Sequence, residues 1–251
     1  MITFQVARIK ESRINIADIH NRCKGVRLKR EKGEIKEGEI FSIPVAHRIS
    51  HPYDMEYLII KHKYPKKILN INLVNQLMVE EEHDERHVDW AQVWAGHKFK
   101  EKYYALFWFR GASPGQRFPK HRLLLSKCIK NQPDRLKQKT VIPVEYDLVL
   151  LRENFGNKIW DQDFTRLGPI NRGRISGNNI KNDPLYSEFS TGKNFIGITV
   201  EISGFSERVR VISSGRLQFM NCQPVELDND HTGTILERII KVVETISPCE
   251  K

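Results

Sequence analysis

Near the start of the chain Ile2, Phe4 and Val6 alternate with Thr3, Gln5 and Ala7, the period of two that turns one side of a strand toward a core. Ser12 then precedes Ile14, Ile16 and Ile19, a spacing that opens a short helix. The basic stretch from Lys24 to Lys36, with Gly25 and Gly33, reads as a turn and the solvated end of a hairpin. Between Tyr57 and Val79 the pairs Leu58 and Ile60, Leu69 and Ile71, and Leu77 and Val79 predict three strands. Their turns fall at Lys-Tyr-Pro-Lys-Lys, where Pro65 is tolerated, and at Asn75-Gln76, where Asn75 accepts a positive φ.

Glu80-Glu81-Glu82 lead into Val88, Val93 and Trp94, which read as the acidic start and apolar face of a helix. The dense run from Tyr103 to Phe109 predicts a buried strand, and Gly111 to Pro119 a loop. Lys120 to Lys139, basic but holding Leu123, Leu124 and Leu125, fits a helix or a strand equally. Val141 to Leu151 restart an alternating pattern, whereas Asn154 to Gly192, rich in Gly, Asn and Asp, is expected to be mostly irregular. Ile196, Ile198, Val200 and Ile202, then Val209 and Val211, then Leu217 and Phe219 mark three more antiparallel strands, with turns at Gly204 and Ser213-Ser214-Gly215. Ile235, Leu236, Ile239, Ile240, Val243 and Ile246 form one face of a closing amphipathic helix.

The two strand-rich segments also superimpose on each other. Placing Met55 on Phe195 pairs Leu58 with Ile198, Ile60 with Val200, Leu69 with Val209 and Ile71 with Val211. The match continues without gaps through the next turn, where Asn75 meets Gly215, both suited to positive φ. Leu77 then meets Leu217, and Val79 meets Phe219. Agreement through two turns is more than two unrelated amphipathic hairpins would give.

Composition narrows the partners. The chain has 251 residues with 41 Lys and Arg against 31 Asp and Glu, a formal charge of +10, so a polyanion is attracted to it. Cys23, Cys128, Cys222 and Cys249 are scattered, with no C-x-x-C pair, which argues against a zinc site or a disulfide scaffold. No signal-peptide core or membrane-length apolar run is visible, and a soluble, intracellular protein is expected.

The stretch Asn-Phe-Ile-Gly-Ile-Thr-Val-Glu-Ile, 194 to 202, followed by Val-Arg-Val-Ile-Ser-Ser-Gly-Arg-Leu-Gln-Phe, 209 to 219, resembles the strand-turn-strand core of a repeat of the TATA-box-binding protein family. Leu-Ile-Ile-Lys-His-Lys-Tyr-Pro-Lys-Lys-Ile-Leu-Asn-Ile-Asn, 58 to 72, is similar to the same core in that family's other repeat, with Ile14 to Cys23 as its short first helix. The resemblance implies an α+β fold, a curved antiparallel sheet of two repeats with helices on the convex face. The first repeat would span residues 1–80 and the second 140–251. Residues 81–139, an insertion that includes a possible first-repeat helix, exceed what the family places between repeats. Such an expanded, divergent form is similar to the TATA-binding-like proteins of large DNA viruses.

That resemblance implies a DNA-binding transcription initiation factor that engages the minor groove of promoter DNA and recruits RNA polymerase or other initiation factors. It would need no cofactor and would act in a nucleus or a cytoplasmic virus factory. The family's wedge positions, whose apolar side chains unstack base steps, fall on Met55, Asn72, Phe195 and Ile212. Asn72 departs from the pattern, because a polar amide is a poor wedge. Further groove-facing positions fall on Met78, Glu80, Gln218 and Met220, and Glu80 is unfavourable beside phosphates. Lys61, Arg208, Arg210 and Arg216 are expected phosphate contacts.

Two other classes compete with this reading: a nucleic-acid enzyme of restriction-nuclease or glycosylase type on a β-rich scaffold, and a basic adaptor that meets a protein or membrane partner. Enzymatic signals are thin. His83 and His87 are spaced one helical turn apart without a third ligand, and Glu145 and Asp147 lie on alternate positions of an expected strand without a lysine to complete a nuclease site. No P-loop, nucleophile elbow or dinucleotide-binding glycine run occurs, so no catalytic role is expected.

Overall fold

A computed structural model describes residues 1–11, 14–23, 40–45, 56–65, 86–109, 114–130, 140–155, 159–167, 170–176, 195–202, 208–223 and 234–251. Its first half contributes β1 (Ile2–Ile9), α1 (Ile16–Cys23), β2 (Ile40–Val45), β3 (Glu56–Pro65), β4 (Arg86–Phe99), β5 (Lys102–Trp108) and α2 (Pro114–Lys130). The second half contributes β6 (Val141–Pro143), α3 (Leu148–Asn154), β7 (Ile159–Leu167), β8 (Ile170–Ser176), β9 (Phe195–Glu201), β10 (Arg208–Ile212), β11 (Arg216–Phe219) and α4 (Thr234–Ile246). A 3-10 turn, Ser247–Cys249, follows. The strands form one open sheet in the order β2-β3-β4-β5-β1-β11-β10-β9-β7-β8, with β6 also beside β1. Every described pairing is antiparallel.

β1 joins the halves. Phe4 to Ile9 pair with β5, while on the other edge Ile2 to Gln5 pair with β11 and Ala7 to Ile9 with β6. Because paired residues share a face, the register sorts the core into two layers. On one face Ile2, Phe4 and Val6 of β1, Leu106 and Trp108 of β5, Val209 and Val211 of β10, and Leu217 and Phe219 of β11 pack under α4. α4 presents Leu236, Ile239, Ile240, Val243 and Ile246 at helical spacing, each contributing roughly 1.5–3 kcal/mol when fully buried. On the other face Ala7 and Ile9, Ala105 and Phe107, and Val93 and Ala95 of β4 pack under α1 and α2 through Ile19, Phe118, Leu125 and Cys128.

The helices therefore lie on both faces of the sheet, not together on one. The aromatic run of β5 explains why. Tyr104, Leu106 and Trp108 alternate with Ala105 and Phe107, so both sides of this strand are apolar and both need cover.

Several local expectations are corrected. Residues 86–99, read as the face of a helix, are a strand: Val88, Trp90, Val93 and Trp94 are β-branched or aromatic, and β4 bends at a bulge where Gly96 adopts φ +108°. Together with β5 and α2, this strand places most of the supposed insertion inside the sheet and its cover. The loop expected at Gly111 to Pro119 gives way to helix from Pro114, a residue suited to a first helical position where its missing N–H costs nothing. The helical alternative for Lys120 onward holds to Lys130.

Val141 to Leu151 do not continue as a strand beyond Pro143. Asp147 instead caps α3, its Oδ1 accepting from the backbone N–H groups of Val149 at 2.9 Å and Leu150 at 3.1 Å. Within the stretch expected to be irregular, β7 and β8 form a hairpin. The basic segment at 24–36 and the two strands expected between Leu69 and Val79 lie outside the described residues.

Candidate nucleic-acid interface

The α2 face continues past β1 onto β11, β10 and β9, and its side chains change character there. Thr3 of β1 faces Gln218 of β11, Gln218 faces Arg210 of β10, and Arg210 faces Thr199 of β9. The neighbouring row runs Gln5, Arg216, Ile212, Gly197. Arg208 completes the surface beside Glu201, and the Met220 N–H donates to its carbonyl at 3.2 Å. Between these residues Val209, Val211, Leu217 and Phe219 point the other way and are fully buried under α4. Among the described residues, no helix packs on the α2 face of β9–β11.

Local geometry sets this surface. Ser213-Ser214-Gly215 joins β10 to β11 as a three-residue loop, and Gly215 takes φ +81°, the left-handed conformation such a loop requires. A Cβ at Gly215 would collide with the Val144 carbonyl oxygen and come within 2.9 Å of the Gln5 amide nitrogen. That amide is buried and donates to the Ser214 carbonyl at 2.8 Å, while the Val6 N–H donates to the Gly215 carbonyl at 2.8 Å. The turn is thus held against both β1 and the chain leaving β6. At Gly197 a Cβ would lie 3.2 Å from the Val211 carbonyl oxygen, a tight approach, and in ordinary contact with Ile212 Cγ1 at 3.5 Å and Arg210 Nε at 3.6 Å.

Electrostatically, Arg208, Arg210 and Arg216 occupy neighbouring rows of two adjacent strands, with Glu201 as the described carboxylate on the same patch. The surface is graded in exposure: Arg208 and Met220 are exposed, Arg210, Ile212, Arg216 and Gln218 are half-buried, and Thr199 is buried.

The remaining sequence-derived positions are dispersed. Phe195 opens β9 and pairs with Phe164 of β7. Lys61 sits in β3, paired with Phe41 and Trp90, on the far side of β4, β5 and β1 from the arginine rows. Met55, Asn72, Met78 and Glu80 lie outside the described residues. Sequence reasoning overlooked Thr3 and Gln5, although their alternation with Ile2, Phe4 and Val6 already marks them as the non-core side of β1.

His83 lies outside the described residues. His87 is in a strand, so the helical spacing to His83 does not apply, and Asp147 is engaged in capping α3 while Glu145 is exposed. Among the described residues no cluster of three His, Cys, Asp or Glu could hold a metal ion, and no helix is long and apolar enough to cross a membrane. This is an open antiparallel sheet of α+β class with a basic patch on one face. No protein-family model matches the chain, and no curated protein matches it significantly.

Proposed function

We propose that this chain is a DNA-binding factor of transcription initiation, resembling the TATA-box-binding protein family, that contacts duplex DNA through the α2 face of β9–β11 and β1. The observation that carries the proposal is the patch of Arg208, Arg210 and Arg216 around Ile212 and Gln218, on a sheet face that no described helix covers. Guanidinium groups suit phosphate oxygens, and an apolar side chain between them suits a base step in the minor groove. The two-repeat reading draws support from the element order, because strand, short helix, several strands and longer helix occur twice in succession. In this reading the second half makes the principal contact, since α1 and α2 cover the same face over β1, β4 and β5. Promoter DNA and an RNA polymerase or other initiation factor are the proposed partners, in a nucleus or a cytoplasmic virus factory.

The test is fluorescence anisotropy on a labelled A·T-rich duplex between about 50 and 200 mM salt, with donor–acceptor labels at its ends to report bending. Binding is expected to weaken linearly in log–log form with salt. Substituting Arg208, Arg210 and Arg216 together by Gln is expected to reduce the slope by about 0.9 for each phosphate that is no longer neutralised. Ile212→Ala is expected to reduce bending more than affinity. Absence of salt-dependent binding ends the proposal, and magnesium-dependent cleavage of the duplex replaces it with a nuclease.

A further inference from the structure

A second cationic site lies away from the arginine rows, beside β6. A cavity of about 330 Å³ is lined by Arg8, Arg122, Ile142, Pro143, Glu145 and Glu250, together with neighbouring residues. That volume lies at the lower end of the range for small-molecule sites. Arg8 comes from β1 and Arg122 from α2, and both are half-buried. Arginines from two different elements thus line one concavity.

The two acids of the lining, Glu145 and Glu250, differ in their surroundings. Glu250 is engaged elsewhere: its oxygens accept from the Tyr104 hydroxyl at 2.7 Å and from Lys102 Nζ at 3.5 Å, and its side chain is only 4% exposed. Glu145 points to solvent. Among the described residues no carboxylate forms an ion pair with Arg8 or Arg122. Arg122 does lie over the Phe118 ring, 5.7 Å from its centroid. Two half-buried arginines that form no ion pair with a carboxylate among the described residues, beside Ile142 and Pro143, suit an oxyanion.

We infer that the groove beside β6 binds a small phosphate-bearing ligand through Arg8 and Arg122. A free phosphate group suits the site better than a nucleic-acid backbone, because the concavity is small. The site shares no arginine with the β10–β11 patch, so this inference stands or falls independently of the DNA-binding proposal.

Isothermal titration calorimetry of the full chain with inorganic phosphate and with pyrophosphate tests it. Saturable binding to one site is expected, weakened about tenfold or more by Arg8→Gln and by Arg122→Gln and unchanged by the triple substitution of Arg208, Arg210 and Arg216. Arg122→Lys, which keeps the charge but loses the fork, is expected to fall between. Unfolding curves of each variant accompany the titrations. If Arg8→Gln fails to fold, Arg122→Gln on the helix carries the comparison. No saturable binding below about 10 mM phosphate, or equal binding by the variants, overturns the inference. It is also overturned if the two substitutions leave phosphate binding intact while weakening duplex binding, which would make the groove part of the nucleic-acid surface.

Discussion

Over β4 and β5 the α2 face carries Val93, Ala95, Ala105 and Phe107 and is sealed by α2, whereas over β10 and β11 the same face carries Arg208, Arg210, Arg216 and Gln218 without a described helix above it. The opposite face is apolar over β5, β1, β11 and β10 and is covered by one continuous layer around α4. The sheet thus changes from a strand layer buried on both sides to one buried on a single side, with β1 at the boundary. A basic, half-exposed surface can sit on a well-packed scaffold because its packing energy comes from the face beneath it.

The first way to break this comparison is to remove one side chain from each region of the α2 face. Phe107 makes an edge contact with Phe118 at 5.0 Å between ring centroids, and Phe107→Ala is expected to cost about 3–5 kcal/mol in urea unfolding. Arg210→Ala is expected to cost no more than about 1 kcal/mol, and equal losses would show that the arginine row is packed like a core.

Next in size is the seam between the halves. Gly215→Ala forces a Cβ against the Val144 carbonyl at a positive φ, and a loss of about 2–3 kcal/mol in chemical unfolding is expected. A change below about 0.5 kcal/mol would mean that β6 and the β10–β11 turn are not held in register.

A smaller effect probes how α4 reaches into the first half. His97 of β4 is buried, with Nε2 3.0 Å from a Glu244 carboxylate oxygen of α4, and burial pushes its imidazole down to about 4. The carboxylate favours the charged ring, but with His97 only 5% exposed the loss of hydration prevails. The unfolded chain takes up this proton near pH 6.5 and the folded chain only near 4, so the contribution is full above pH 6.5 and is lost as pH falls through this window. Between pH 7 and 4.5 wild type is expected to lose about 1–3 kcal/mol more than His97→Gln; parallel profiles would show that the imidazole does not titrate differently on folding.

Legibility follows how far local pattern and tertiary burial agree. β9, β10, β11 and α4 are readable because each has one apolar side whose period is the period of its structure, and β1 because Ile2, Phe4 and Val6 alternate at its start. The positions of Arg210, Ile212 and Gln218 relative to the core follow from the same alternation. β4 misleads because Val88, Val93 and Trp94 also fit a helical face, and because its hairpin to β5 turns on Lys100 and Glu101. Both adopt positive φ, at 45° and 62°, without the Asn or Gly that usually signals such a turn. The short α3 depends on a single cap at Asp147, a cue easily masked by the apolar residues around it. The groove at Arg8 and Arg122 is invisible in the sequence because its residues come from β1, α2 and the segment around β6, far apart along the chain.

The central position of β1 also bears on how the chain reaches its native state. Ile2–Ile9 are synthesised before all their partners, Tyr103–Trp108, Val141–Pro143 and Arg216–Phe219, so the middle of the sheet closes only after Phe219 has left the ribosome. Pairings this distant in sequence slow folding and leave one edge of an apolar strand unpaired until then. The same strand that unites the halves therefore stays open on one edge during synthesis, and a version lacking β11 would expose that edge of β1 to intermolecular pairing.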